Sequence, residues 1–344
     1  MTELSLRSYI VTRVLLTIPM VMLLLTIVFF ILRVVPGDPA LLHFEKNVDP
    51  DVLMVFKERL GLARDGVDIP IWEQYFSYLG GLLTGDFGLS MHDFSPVSEH
   101  IAGRFPATLE LTIYSMLFAV LLGVALGVKA SKNYDTTTDH GIRLFGIITY
   151  AIPVFFLGMI LQFVFGIWLR ILPVNGRFDP HYATPTNITG MYTIDSLLTG
   201  NISAFFVSAS YMILPAATLG TILCGVFVRL TRTNMLETLR MDFVVAAEAR
   251  GLSESAVVYG YALKNAFLPI MTMIGLQFAT LLAGAVLTET TFNWLGLGTY
   301  LIDRINYRDY TGIQGTVVFF GILVSLVTLV MDILYAYLDP RIRL

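Results

Sequence analysis

Residues 10–32 read IVTRVLLTIPMVMLLLTIVFFIL, an apolar run in which Arg13 is the only charged residue. A bilayer core about 30 Å thick needs about 20 such residues in a helix, so the run is long enough to cross a membrane. It is too long for the apolar part of a signal peptide, and the residues that follow, 33–39, offer no small-residue cleavage site. We therefore interpret it as a retained transmembrane helix.

Five further stretches have the same character. The six predicted spans are Ile10–Leu32, Ala107–Val128, Leu144–Trp168, Ser208–Val228, Phe267–Leu287 and Ile313–Tyr337. The composition agrees, because 56% of the 344 residues are hydrophobic and only 14% are charged, whereas soluble domains carry about 25% charged residues. The chain is therefore predicted to be an all-α polytopic membrane protein with six transmembrane helices.

The positions of Lys and Arg in the short loops predict the orientation, since these residues stay on the cytoplasmic side. One side carries twelve of them and the short loops opposite carry four. Both termini are therefore predicted to be cytoplasmic, in the plasma (inner) membrane. The predicted organisation is an N-terminus with the first helix (1–33), an external loop with short helices (34–106) and a five-helix core (107–344) with a cytoplasmic loop over 229–265.

Motifs for catalysis and nucleotide binding are missing from the sequence. There is no G-x-x-x-x-G-K-[ST] loop for nucleotide phosphates, no H-E-x-x-H and no Ser/His/Asp set. The five histidines have no ligand spacing, so we predict no metal site. The single cysteine, Cys224, cannot form an internal disulfide. We expect no enzymatic activity of this chain itself and no nucleic-acid partner.

Few polar residues fall within the predicted spans, where they are functional candidates by default. Glu110, Glu289 and Asp332 lie towards span ends, and pairing with an Arg or a helix terminus explains them better than ion-driven transport. Gln162 and Gln277 are mid-span amides that either join helices or line a polar path, and we favour contacts between helices. Gln162, Gln277 and Glu289 are thus the candidate pathway or inter-helix polar residues.

The unusual feature is the fourth loop, which contains Ala246-Ala247-Glu248-Ala249-Arg250-Gly251-Leu252-Ser253. An alanine-rich helix that ends at Gly251 has small residues on one face and can approach another surface closely. Ser253 can cap a following helix. The sequence therefore predicts a short helix–turn–helix that projects from the bundle, with an interfacial amphipathic hairpin as the simpler alternative.

The order Ala247, Gly251 and Leu268-Pro269 resembles the cytoplasmic EAA loop of ABC importer permeases. Val245 stands where the general form has its leading Glu, and the Gly251-to-Leu268 spacing is longer; both departures are similar to the peptide/nickel branch. Further matching motifs are RVVPGDPA at 33–40, GGLLTGDFG at 80–88, RFPATLEL at 104–111, ETTF at 289–292, GLG at 296–298 and LDPRIR at 338–343. Over nearly its full length the chain resembles the first of the two permease subunits of a dipeptide/oligopeptide/nickel-type ABC importer.

This resemblance implies a type I importer fold in which residues 246–253 form a coupling loop that docks on a cytoplasmic ATPase subunit. It also implies a second homologous permease, an external substrate-binding protein and surrounding membrane lipid. ATP and Mg are expected in the partner ATPase subunits, with no cofactor on this chain. The expected solute is a peptide or a similar small molecule. The alternatives are oligosaccharide import by the same machinery, or a secondary carrier without an ATPase.

Overall fold

A computed structural model describes residues 6–34, 40–41, 44 and 48–338; the motif residues 35–39 and 339–343 lie outside this part. The α-helices are α1 (Leu6–Val34), α2 (Pro50–Arg59), α3 (Ile71–Leu83), α4 (Val97–Lys132), α5 (Thr137–Ala151), α6 (Val154–Leu161), α7 (Tyr192–Leu198), α8 (Ile202–Thr238), α9 (Asp242–Ala249), α10 (Leu263–Gly284), α11 (Val286–Thr291), α12 (Leu297–Asn306) and α13 (Tyr310–Leu338). A π-helix, Gln162–Trp168, continues α6, and a second, Ala256–Ala262, leads into α10. Two short antiparallel strands, β1 (Ala63–Arg64) and β2 (Val67–Asp68), form a hairpin.

Five helical segments of the described chain are long and apolar enough to cross a membrane. They are Ile10–Arg33, Val97–Lys132, Ile202–Thr238, Ala256–Leu282 and Tyr310–Leu334. A sixth crossing exists if the pair Thr137–Ala151 and Val154–Trp168 counts as one span, and this pair is bent by 106°. The chain is thus a polytopic helical membrane protein.

The bend corrects the prediction of one continuous helix over Leu144–Trp168. Ile152 ends α5 with extended dihedrals, φ −80° and ψ 129°, and Pro153 follows it. The ring of a proline disfavours helical geometry at the residue before it, so the helix breaks there and a new one starts at Val154. Pro19, Pro215 and Pro269 lie inside continuous helices.

Three further boundaries differ from the sequence-based prediction. The second spanning helix begins at Val97, so the predicted boundary at 106/107 falls inside α4. The fifth ends at Gly284, and the separate helix α11 follows it. Residues 229–238 of the predicted cytoplasmic loop belong to α8, and the π-helix with α10 covers 256 onwards. Apolar patterning alone does not predict these ends, because spanning helices continue beyond the apolar window.

The pair α4 and α8 forms the centre of the bundle, because glycines let the two backbones approach closely. A Cβ atom on Gly123 would lie 2.5 Å from Phe227 Cβ, and one on Gly127 would lie 2.5 Å from Thr231 Cβ. Small residues at such positions are typical of helix contacts in membranes, where dispersion forces replace the hydrophobic effect. Ala119 and Phe227 are fully buried in the same cluster.

The segment between the first two spans contains α2, the hairpin and α3. Asp49 caps α2 by accepting a 3.0 Å hydrogen bond from the Asp51 amide. Tyr75 of α3 packs on Phe29 of α1, with ring centroids 5.2 Å apart, and its hydroxyl lies 2.7 Å from Thr26 Oγ1. These contacts fix α3 against the end of α1.

Candidate functional site

The predicted coupling residues lie on α9 and the turn after it; we call residues 239–253 the coupling segment. The helix ends in a left-handed turn at Gly251, with φ +77°. The Gly251 amide donates to Glu248 O at 2.9 Å, and the Leu252 amide donates to Ala247 O at 3.4 Å. This pair of bonds is the Schellman arrangement, in which glycine takes the positive φ without a Cβ penalty.

The coupling segment has one inward face and one outward face. Val244 and Ala247 are buried against Met235 of α8 and Val257 of the second π-helix. The outward residues are exposed: Ala246, Glu248, Ala249, Arg250, Gly251 and Ser253. Ala247, predicted to permit close approach to a partner, instead permits close packing within this chain, and Leu252 is half-buried. The outward face therefore consists mainly of small and charged side chains that are exposed in the described part of the chain.

The helix after the turn is anchored at two points. Ser253 Oγ accepts from the Ala256 amide at 3.4 Å, which is the N-cap position expected of this serine. Glu254 forms a 2.9 Å ion pair with Lys132 at the end of α4. The coupling segment and the residue that follows it, Glu254, therefore contact or continue directly into the second, fourth and fifth spanning helices.

The opposite end of the bundle contains buried carboxylates. Glu289 is fully buried and accepts from Thr108 Oγ1 at 2.6 Å, the Gly298 amide at 2.7 Å and the Thr299 amide at 3.1 Å. Burial raises the pKa of Glu289 to about 7, although these hydrogen bonds and the nearby charge of Arg104 oppose the rise. Glu289 therefore joins α4, α11 and α12, and the structure shows it as a contact between elements.

Glu110 is the second buried carboxylate at this end. Its Oε2 accepts from Arg177 Nη2 at 2.7 Å and Nε at 3.2 Å. Its Oε1 accepts from the backbone amide and the hydroxyl of Thr193, at 2.8 and 2.7 Å, in the first turn of α7. The prediction that Glu110 pairs with an Arg or a helix terminus is confirmed on both counts. Asp332 likewise pairs with Arg13 at 3.3 Å.

Sequence reasoning missed three more buried carboxylates, and one of them, Asp139, pairs with Arg232 at 2.6 Å at the end of the bundle that contains α9. Asp309 accepts from Ser90 Oγ at 2.7 Å and the Met91 amide at 2.9 Å, and it pairs with Arg304 at 3.3 Å. It also accepts a 2.9 Å hydrogen bond from the Gly312 amide and so caps the N-terminus of α13. The sequence signal for this role was an Asp just before the last apolar run.

Asp195 is the third missed carboxylate. Burial would raise its pKa, but hydrogen bonds from Thr189, Ile188 and Gly190 lower it below the ordinary value. The Asp195 carboxylate therefore holds the two ends of the 188–195 loop together.

The two mid-span amides, Gln162 and Gln277, differ in their hydrogen bonds. Gln162 Nε2 donates to Val174 O at 2.8 Å and to Thr291 O at 3.0 Å, which joins the first π-helix to the following loop and to α11. Gln277 is half-buried on α10, and within the described residues its side chain forms no hydrogen bond. The described residues also contain no group of three or more His, Cys, Asp or Glu that could hold a metal ion.

Comparison with known families identifies the kind of membrane protein. Residues 119–344 match the family described as binding-protein-dependent transport system inner membrane component, and residues 6–112 match its N-terminal membrane component. The chain belongs to this family of ABC importer permeases. The permease is therefore a multi-pass inner-membrane protein, as its sequence predicts.

Relatives cover almost the whole permease. It is 42% identical to the di/tripeptide transport system permease protein of Pseudomonas aeruginosa, over 98% of both chains. It is 37% identical to the dipeptide transport system permease protein of Alkalihalophilus pseudofirmus, over 98% of this chain and 99% of the relative. The glutathione transport system permease protein of Salmonella choleraesuis is 36% identical over 98% and 99%.

Proposed function

We propose that this permease forms half of the translocation pathway of an ATP-driven importer for short peptides. The observation that carries the substrate class is the full-length similarity to permeases named for dipeptides, di/tripeptides and glutathione, itself a peptide. The proposed assembly contains a second homologous permease, cytoplasmic ATPase subunits that bind ATP and Mg, and an external substrate-binding protein. The oligosaccharide alternative finds no support among these relatives.

The proposed topology has six spans, with both termini and the coupling segment in the cytoplasm, as in type I importers. Support for the sixth span comes from the bent pair Thr137–Ala151 and Val154–Trp168. Asp139, at the start of α5, pairs with Arg232, near the end of α8, at 2.6 Å, so these two helix ends lie on the same side and the chain between them has to cross once before α8 crosses back. The buried carboxylates Glu110, Glu289 and Asp309 then lie at the external end, where the binding protein would deliver solute.

The proposed docking surface for the ATPase is the outward face of the coupling segment. Support comes from the exposed small residues on α9 and from two apolar side chains that are about half exposed, Met241 at 48% and Val245 at 55%. Glu248 and Arg250 would supply the polar rim. Because α9 packs directly on α8 and the second π-helix, motion of a docked ATPase would reach the spanning helices without a flexible link.

The test is Gly251→Arg in the assembled importer in proteoliposomes. We expect the variant to insert normally but to lose most peptide uptake and peptide-stimulated ATP hydrolysis, because the bulky side chain would hold α9 away from its partner. Gly200→Arg is the matched control, since Gly200 also has a positive φ of +68° and open space around it, but lies at the other end of the bundle.

Normal solute-stimulated ATP hydrolysis by Gly251→Arg would contradict the assignment of the coupling segment. The substrate class has its own test: competition by unlabelled dipeptides against that by oligosaccharides, measured as uptake of a labelled dipeptide. Reproducible absence of a nucleotide-hydrolysing partner after purification in mild detergent would favour a secondary carrier instead.

A further inference from the structure

A cavity of about 230 Å³ lies where the end of α1 meets α3 and the start of α13. One part of its wall is polar and contains Arg33, Gln74 and Gln314. Another part is apolar and includes Leu32 and Ile71. The combination of a charged wall and an apolar wall suits an amphipathic ligand better than a simple ion.

Arg33 carries the charge that decides which ligand fits. Its Nε donates to Gln74 Oε1 at 3.0 Å, its Nη1 donates to Gln314 Oε1 at 2.8 Å, and its guanidinium lies 4.3 Å from the centre of the Phe29 ring. All three partners are neutral, and Arg33 has no ion pair with a carboxylate in the described part of the chain. A half-buried guanidinium without a counter-charge is a position that an anion would stabilise.

Lys57 and Asp68 also line the cavity. The Lys57 Nζ atom donates to both carboxylate oxygens of Asp68 at 3.0 Å, so the charges of these two side chains largely offset each other. The net charge on the described lining residues is therefore positive and comes from Arg33.

Gln314 provides an independent sign that a ligand is needed. Its side chain is 5% exposed, its Oε1 already accepts from Arg33, and its Nε2 has no hydrogen-bond partner. The hydroxyl of Tyr78 lies beside Gln314 and interacts with its side chain, but neither group gains a hydrogen bond of good geometry from this contact. A buried donor left unpaired costs about 1–3 kcal/mol. An oxyanion placed beside Arg33 would supply the missing acceptor oxygen.

We propose that this cavity binds the phosphate group of an anionic phospholipid. Arg33 is the last residue of the apolar window of the first span, which puts its guanidinium at headgroup depth. Next to the cavity, α3 exposes Trp72 at 64% and Phe76 at 67%, and such side chains anchor helices in the membrane interface. Leu32 and Ile71 would contact the glycerol and the first acyl carbons, which a free carboxylate or phosphate lacks.

The test is lipid binding by the full-length chain in mild detergent, measured by native mass spectrometry as phosphatidylglycerol is titrated. We expect Arg33→Gln to weaken phosphatidylglycerol binding about tenfold, because one charge-assisted contact is lost. Diacylglycerol, which has the same glycerol and acyl chains but no phosphate, should bind equally to both. Arg64→Gln is the matched control: it removes the same charge near the same cavity, but Arg64 is 70% exposed and pairs with Glu73.

Gln314→Glu tests the site without removing Arg33. The new carboxylate keeps the shape of the side chain and gives the guanidinium an internal counter-charge, so the protein should stay folded and phosphatidylglycerol binding should fall by about as much. Wild-type phosphatidylglycerol affinity in both variants would overturn the proposal. Displacement of the lipid by inorganic phosphate or acetate at equal concentration would also overturn it, and would indicate a site for free anions. The readout requires no transport, so it is independent of the proposed function.

Discussion

Two regions at opposite ends of the helix bundle are held in place by different kinds of contact, although each end contains buried carboxylates: Asp139, which pairs with Arg232 at 2.6 Å, lies at the same end as α9. At one end, Glu110, Glu289 and Asp309 are fully buried, and each of these three carboxylates accepts several hydrogen bonds and joins separate elements of the chain. At the other end, α9 is held by apolar packing of Val244 and Ala247, and its outward face is exposed. These three carboxylates find their donors within the chain, whereas α9 leaves a surface uncovered.

The difference indicates where the chain needs a partner to be complete. A buried carboxylate fixes its donors firmly, because separating them leaves a charge in a low-dielectric environment. The loops at that end are therefore positioned by the chain itself. The coupling segment lacks such bonds on its outer side, which agrees with the proposal that an ATPase subunit supplies the contacts there. Three substitutions can break or sharpen this comparison.

The largest effect is expected for Glu110→Ala. Removing this carboxylate leaves Arg177, whose side chain is 10% exposed, without its 2.7 Å partner, and leaves the Thr193 donors unpaired. Breaking one member of a buried pair costs about 3–5 kcal/mol. We expect the free energy of unfolding, measured by denaturant titration in detergent, to fall by about that amount.

The matched control for this substitution is Glu73→Ala. Glu73 also pairs with an arginine, Arg64, at 3.5 Å, but both side chains are largely exposed to solvent, at 41% and 70%. Exposed pairs contribute about 0–1 kcal/mol. Similar losses in the two variants would mean that burial does not distinguish this end of the bundle, and the comparison would fail.

A pH-dependent effect is expected at Glu289. Its pKa is about 7 in the folded protein against 4.5 for the free side chain, so the folded state binds a proton more tightly than the unfolded state. Stability contributed by this group is therefore present below pH 4.5, falls as the pH rises towards 7, and changes little above it. The total loss would be roughly 3 kcal/mol.

Glu289→Gln isolates this contribution, because the amide keeps the shape and does not titrate. The measured quantity is the difference in unfolding free energy between wild type and variant at a series of pH values. We expect the variant to become more stable relative to the wild type as the pH rises from 4.5 to 7. A difference that is constant over this range would show that Glu289 has the same pKa folded and unfolded.

Sequence patterning predicted most spans but not their ends or their breaks. Five apolar runs correspond to spanning helices because burial in lipid demands about 20 apolar residues wherever a helix crosses. Pro153 was visible, but whether a proline kinks or breaks a helix depends on its neighbours, as the continuous helices around Pro215 and Pro269 show. The 106° bend was therefore beyond sequence reasoning.

Among the candidate residues, too, some features could be predicted from the sequence and others could not. Gly251 could be placed in a turn from the sequence because a helix stop requires a residue that tolerates positive φ. The partners of Glu110 could not be named, since Arg177 and Thr193 lie in a loop and a short helix far along the chain. Long-range pairs of this kind depend on how the helices pack, which a single sequence does not encode locally.

The smallest effect is expected at the coupling segment, where the backbone rather than a buried charge holds the geometry. Gly251→Ala should lower the free energy of unfolding by about 1 kcal/mol, because a Cβ is unfavourable at φ +77°. Gly260→Ala is the matched control: Gly260 lies in the second π-helix, its φ is not positive, and a Cβ there would touch nothing within 4 Å. That substitution should be neutral or stabilise by up to about 1 kcal/mol. If Gly251→Ala lowers the free energy of unfolding and Gly260→Ala does not, the turn at Gly251 requires glycine for its conformation. If both substitutions lower it by the same amount, the turn has no special need for glycine.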